Sequence, residues 1–161
     1  MPAGAGQWES HATRTWRQTR RGTALASNHR PNRFQTITKQ MRALIVDDSK
    51  SMRMILGRAL KEIGFQVTEA GDGREALARL NQGEEVDLML VDWNMSVMNG
   101  YELVCAVRAN ALLGSVRIMM VTTETCLSQL EQALAAGANE YLMKPFTKEA
   151  LVEKLALLGM N

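Results

Sequence analysis

From Met41 onward the chain alternates between two hydrophobic periods. Short, nearly continuous apolar runs stand at ALIV (43–46), FQV (65–67), LMLV (88–91), IMMV (118–121) and YLM (141–143). Parallel strands covered on both faces read this way, because neither side has to alternate toward water. Between the runs, apolar residues recur at helical spacing. Met52, Ile55, Leu56, Ala59, Leu60 and Ile63 share one face of a helix that Gly64 stops. Asp72 with Glu75 three residues on has the form of a capping box, and Ala76, Leu77 and Leu80 supply that helix's core face. Further helices are predicted from about Asn99 to Arg108, from about Thr125 to Ala135 with Gly137 beyond it, and from the cap Thr147 to Leu158. Five strands alternating with five helices predict an α/β domain with a doubly wound, five-stranded parallel sheet and helices on both faces.

Residues 1–40 follow neither period. They hold two of the three prolines and almost no Ile, Leu or Val, too little apolar surface to offset the entropy of ordering. The sequence therefore predicts a disordered basic extension over 1–40 and one domain over 41–161. The extension carries seven Lys/Arg against Glu9, a charge of +6, which leaves residues 41–161 at −4 within a whole-chain charge of +2. An upstream start codon taken in error, a flexible basic tail and a transit-like leader all fit it. His11 and His29 lie in it without a ligand constellation. Cys105 and Cys126, two cysteines within helical patterns, read as free buried thiols of a reducing compartment. No apolar run approaches the roughly 18–20 residues that span a bilayer. With the reducing compartment read from the cysteines, a cytoplasmic protein is expected. The basic tail, which could touch nucleic acid or acidic lipid, reads as solvated, so no membrane or nucleic-acid partner is expected.

The residues just past each strand are more informative. The first run ends in Asp47 and Asp48, the third in Asp92, the fourth in Thr122 and Thr123, and the fifth in Lys144. In an open α/β sheet, ligands bind outside the carboxyl ends of the strands, where strand order reverses. Any one of these residues has a plain explanation as a cap, a turn or a solvated loop lysine. Their joint placement does not. Three carboxylates about 5 Å apart repel by roughly 3 kcal/mol per pair at an effective dielectric of 20, so they need a cation. Oxygen ligands without Cys or His select Mg²⁺ or a similar ion that shares itself with a phosphate. A carboxylate beside such an ion can attack phosphorus and become an acyl phosphate. In the flavodoxin-like order 2-1-3-4-5, with strands about 4.8 Å apart, a short Thr122 hydroxyl reaches from the strand beside Asp92. From two strands away a long cation such as Lys144 is needed.

The set DD after the first strand, DWNM after the third, MVTTE after the fourth and YLMKPF at the fifth resembles the receiver domain of two-component response regulators. The likeness spans residues 41–161 and is nearest to the single-domain chemotaxis type. It implies that Asp92 is the phosphoacceptor and that Asp47, Asp48, Asp92 and the backbone carbonyl of Asn94 hold Mg²⁺. It also implies that Thr122 and Lys144 contact the phosphoryl, that the bond to Pro145 is cis, and that Tyr141 is a switch aromatic. Asn94 and Glu124 stand where the family tunes dephosphorylation. Two residues depart from the family's usual pattern: Ser96 replaces a proline and Asn99 an aspartate.

The resemblance implies a signalling protein, not an enzyme with a separate substrate. Its donor would be a sensor histidine kinase, and its output a motor-switch or relay protein on the face of the fourth helix, fifth strand and fifth helix. No effector domain is expected beyond residue 161. Relay of the phosphoryl to another protein is the alternative. A haloacid dehalogenase-type phosphohydrolase would place its acids as D-x-D on one strand end, and a flavin module would meet repulsion from Asp47 and Asp48. A receiver working without phosphorylation normally lacks Asp92, Thr122 or Lys144, and all three are present.

Overall fold

The computed structural model describes residues 39–123 and 126–160. Along the chain they form β1 (Arg42–Val46), α1 (Lys50–Ile63), β2 (Gln66–Ala70), α2 (Gly73–Asn81) and β3 (Leu88–Val91). Then come α3 (Gly100–Ala109), a 3-10 turn (Ala111–Leu113), β4 (Arg117–Thr122), α4 (Leu127–Ala136), β5 (Glu140–Met143) and α5 (Lys148–Leu157). The sheet is wholly parallel, as the alternation predicted, and its order is the flavodoxin-like β2-β1-β3-β4-β5.

Two apolar layers sandwich it. Leu44, Val46, Met89, Val91, Ile118 and Met120 face one layer with Leu103, Val104 and Val107 of α3. Ile45, Leu88, Leu90, Met119 and Val121 face the other with Leu56 and Leu60 of α1 and Leu151 and Leu155 of α5. All four residues of β3, the central strand, are buried, which is why it reads as an unbroken apolar run. β2 is an edge strand whose pattern is mostly exposed, so its end, with the polar Thr68 and Glu69, lies outside the predicted apolar run, and Phe65 packs into the core just before it.

The caps were largely legible. Ser49 accepts from the Met52 N–H, Asp72 from Arg74 and Glu75, and Thr147 from Ala150, while Gly64 (φ 112°) and Gly137 (φ 113°) end α1 and α4 in the left-handed region. One cap differs from expectation. Glu75 reaches past Asp72 to the N–H of Gly71 (2.8 Å), so no reciprocal box forms there. The reciprocal box is at α3, where Asn99 accepts from Glu102 N–H and Glu102 accepts from Asn99 N–H, each at 2.9 Å.

The cysteines also differ. Both are exposed: Leu103, Val104 and Val107 take the inward face of α3, which turns Cys105 outward, and Cys126 sits at the N-cap of α4. At the domain's near edge, Lys39 pairs with Asp87 (3.1 Å) and the Gln40 amide donates to the Gly64 carbonyl (3.3 Å), so these two residues join the domain that was expected to begin at Met41. No helix among the described residues is long and apolar enough to cross a membrane.

Candidate functional site

Strand register builds the site. Val46 of β1 is level with Val91 of β3, and the ladder runs one residue further, with Asp92 N–H donating to the Val46 carbonyl (2.9 Å). Asp47 N–H likewise donates to the Ala70 carbonyl of β2 (3.3 Å). The two acids are thereby side by side at the carboxyl edge. Thr122 ends β4 and is level with Met143, so Lys144 comes one step beyond, its N–H donating to the Thr122 carbonyl (2.9 Å).

Burial sorts these groups. Among the described residues, Asp47, Asp92 and Thr122 are the buried polar side chains, whereas Asp48, next to Asp47, is exposed. Carboxylate oxygens of Asp47, Asp48 and Asp92 lie within 4.8 Å of one another. Lys144 Nζ stands 2.7 Å from Asp47 Oδ2 and 3.2 Å from Asp92 Oδ1. Asp47 Oδ1 also accepts from the Ser49 N–H (2.8 Å). One ammonium is thus divided between two buried acids. Burial pushes the Asp92 carboxyl above its ordinary value, and the negative charge of Asp47 adds to this. The Lys144 charge and the Trp93 N–H pull the other way without cancelling it. The donor set, three carboxylates with no thiolate or imidazole, suits a hard divalent cation.

The backbone around Asp92 is tightly set. A Cβ on Gly100 would fall 2.3 Å from the Asp92 carbonyl oxygen and 2.9 Å from Met120 Cε, so α3 can start where it does only with glycine there. A Cβ on Gly73 would likewise meet Met98 Cγ at 2.8 Å. Between these contacts the loop folds into a γ-turn, Met98 N–H donating to Ser96 O (2.8 Å) across Val97, whose φ is +70°. For a β-branched residue this is strained backbone. Trp93 is half-buried with its ring 6.0 Å from that of Tyr101. Asn94 is exposed two residues past Asp92, Tyr141 is half-buried on β5, and the Lys144–Pro145 peptide is cis. Glu124 lies outside the described residues.

Sequence reasoning missed Arg53. From α1 it donates to the Asp47 carbonyl (2.7 Å) and to Glu69 of β2 (3.0 Å), fixing the acidic turn from behind. Its helical spacing from Ser49 places it on the inward side of the first turn, but nothing local names its acceptors.

Residues 43–156 match the family model of the response regulator receiver domain. The chain is 42% identical over 123 residues to chemotaxis protein CheY1 of Helicobacter pylori, covering 75% of this chain and 99% of that one. It is 46% identical over 116 residues to a chemotaxis protein CheY homolog of Campylobacter jejuni, 71% of this chain and 89% of the relative. The structure of chemotaxis response regulator CheY4 of Vibrio cholerae superposes with a TM-score of 0.68 at 40% identity, covering 73% of this chain and 97% of that one.

Proposed function

The chain belongs to the response regulator receiver family, and from that premise we propose that it is a phosphorylation switch of two-component signalling whose acceptor is Asp92. The observation that carries this reading is the division of Lys144 between Asp47 and Asp92 inside the acidic trio. Such an arrangement holds a nucleophilic carboxylate in place while leaving a cation ready for incoming negative charge.

The donor is a phosphohistidine of a sensor kinase or a small acyl phosphate. A carboxylate oxygen of Asp92 attacks phosphorus, an O–P bond forms, the bond to the donor nitrogen or oxygen breaks, and the leaving group takes that electron pair. Mg²⁺ held by Asp47, Asp48, Asp92 and the Asn94 backbone carbonyl would supply charge neutralisation at the phosphoryl oxygens. The Lys144 ammonium moves from the Asp92 carboxylate to a phosphoryl oxygen, and the Thr122 hydroxyl donates to another. Asn94 and Glu124 set how quickly water removes the group. Thr122, drawn toward the phosphoryl, makes room for the Tyr141 ring to turn, a shift between two populations limited by their differential affinity for the phosphoryl.

On this reading residues 41–161 are the receiver, with Lys39 and Gln40 bonded to its edge, and the working compartment is the cytoplasm. Output goes through the face of α4, β5 and α5 to a motor-switch or relay protein, and the names of the relatives support a chemotaxis setting. Acetyl phosphate with Mg²⁺ should add one phosphoryl to the parent, read by intact mass, and none to Asp92→Asn. An unmodified parent, or equal labelling of the variant, overturns the proposal.

A further inference from the structure

Among the described residues β5 is an edge strand, bonded to β4 alone. At that edge one carboxylate oxygen does two things. Glu140 Oε1 accepts the Tyr141 backbone N–H (2.9 Å), and it also accepts Lys154 Nζ from α5 (3.0 Å). That ion pair is substantially sheltered, with side chains 28% and 17% exposed for Lys154 and Glu140. The same ammonium lies over the Tyr141 ring, 4.9 Å from its centroid. Tyr141 packs partly against the α3/α4 layer, while α5 belongs to the opposite layer, so this cluster wraps around the sheet edge.

A cation over a ring face is attracted by the ring quadrupole, and holding that cation with a second group lowers the entropy of keeping it there. We propose that the Glu140–Lys154 pair is a latch that holds the Tyr141 ring in its unphosphorylated position and so sets the threshold of the switch. Lys154 and Glu140 act as positioning residues through Tyr141; neither approaches the acidic trio. The inference rests on the Tyr141 switch proposed above and adds its regulation. A free ring rotates on the strength of packing alone, whereas this ring must also leave the ammonium. The attraction, at a partly exposed site, corresponds to a change of about two- to five-fold in the ratio of the two ring positions.

The test is the Tyr141 ring resonances of the full chain, recorded without and with Mg²⁺ and beryllofluoride. The loaded and unloaded parent define the two ends. Unloaded Lys154→Met, which keeps the stem and loses the charge, should move part of the way toward the loaded end, and unloaded Glu140→Gln should move in the same direction. Lys154→Arg retains a cation over the ring and should stay with the parent. Backbone amide spectra show whether each variant keeps its fold. If Lys154→Met and Glu140→Gln both coincide with the unloaded parent while the parent still shifts on loading, the latch is wrong and the switch stands. A parent that does not shift on loading overturns both.

Discussion

At the amino pole of the sheet Asp87 is met by the Arg42 backbone N–H (2.9 Å), the Arg42 guanidinium (3.3 Å) and Lys39 (3.1 Å), and Glu85 pairs with Arg42 as well. At the carboxyl pole Asp47, Asp48 and Asp92 gather around Lys144. Both poles hold acids at the ends of the same strands, yet their electrostatics are opposite. Burial works to raise the Asp87 carboxyl, and the Arg42 N–H, Lys39 and the Arg42 side chain override it, holding it below its ordinary value. Burial of Asp92 is not overridden. Matched charge closes a structure, whereas an unmatched excess of acid leaves a site that favours a cation.

The largest effect that would break this contrast is steric. Gly100→Ala should drive a methyl into the Asp92 carbonyl and cost about 3 kcal/mol by denaturant melts. Gly57→Ala, whose Cβ meets Ile45, Val67 and Glu69 at ordinary distances of 3.7–3.8 Å, should instead be neutral or stabilising by about 0.5–1 kcal/mol. Equal losses for both would mean the carboxyl pole is not built more tightly than α1.

Next in size is Asp87→Asn, expected to cost about 1–2 kcal/mol at neutral pH through lost charge-assisted bonds. Because the folded-state pKa of Asp87 is lowered, its contribution is present above the unfolded value of about 3.9 and disappears as pH falls through the folded value. The parent should therefore lose more stability than the variant on acidification. An unchanged pH slope in the variant contradicts the assignment.

Asp92→Asn, in chelator without divalent ion, should raise stability by about 1 kcal/mol at neutral pH, since it removes a poorly compensated buried charge. Here the folded-state pKa is raised, so the parent gains on the variant as pH falls through that value toward about 3.9. The two aspartates should thus show pH slopes of opposite sign, and slopes of the same sign would erase the contrast between the poles.

The smallest effect concerns the loop. Val97→Asn relieves left-handed strain at an exposed position and should stabilise by about 0.5–1 kcal/mol in thermal melts. No gain would mean that the γ-turn is held there without cost.

Much of this was legible beforehand for a local reason. Ser49, Thr147, Gly64 and Gly137 act on backbone groups within a turn of themselves, so their roles can be read from sequence neighbours. Asp72 shows where that fails: Glu75 had two N–H groups in reach, Asp72 and Gly71, and spacing does not choose between them. Cys105 failed for a related reason, since α3 offers its inward face to other residues and apolar character alone does not fix which side a thiol takes.

The apolar runs and helical faces along the chain already set the alternation of strands and helices, and parallel topology then obliges every strand's carboxyl end to share one pole, which brings Asp47, Asp92, Thr122 and Lys144 together. Tertiary structure alone decided that Asp47 is buried and its neighbour Asp48 exposed, that Lys144 reaches an acid 97 positions earlier, and that Glu140 brings Lys154 over the Tyr141 ring. Capping and periodicity are set by backbone bonds over a few residues. Burial and charge pairing depend on distances between segments far apart in the chain, and those exist only once the layers have packed.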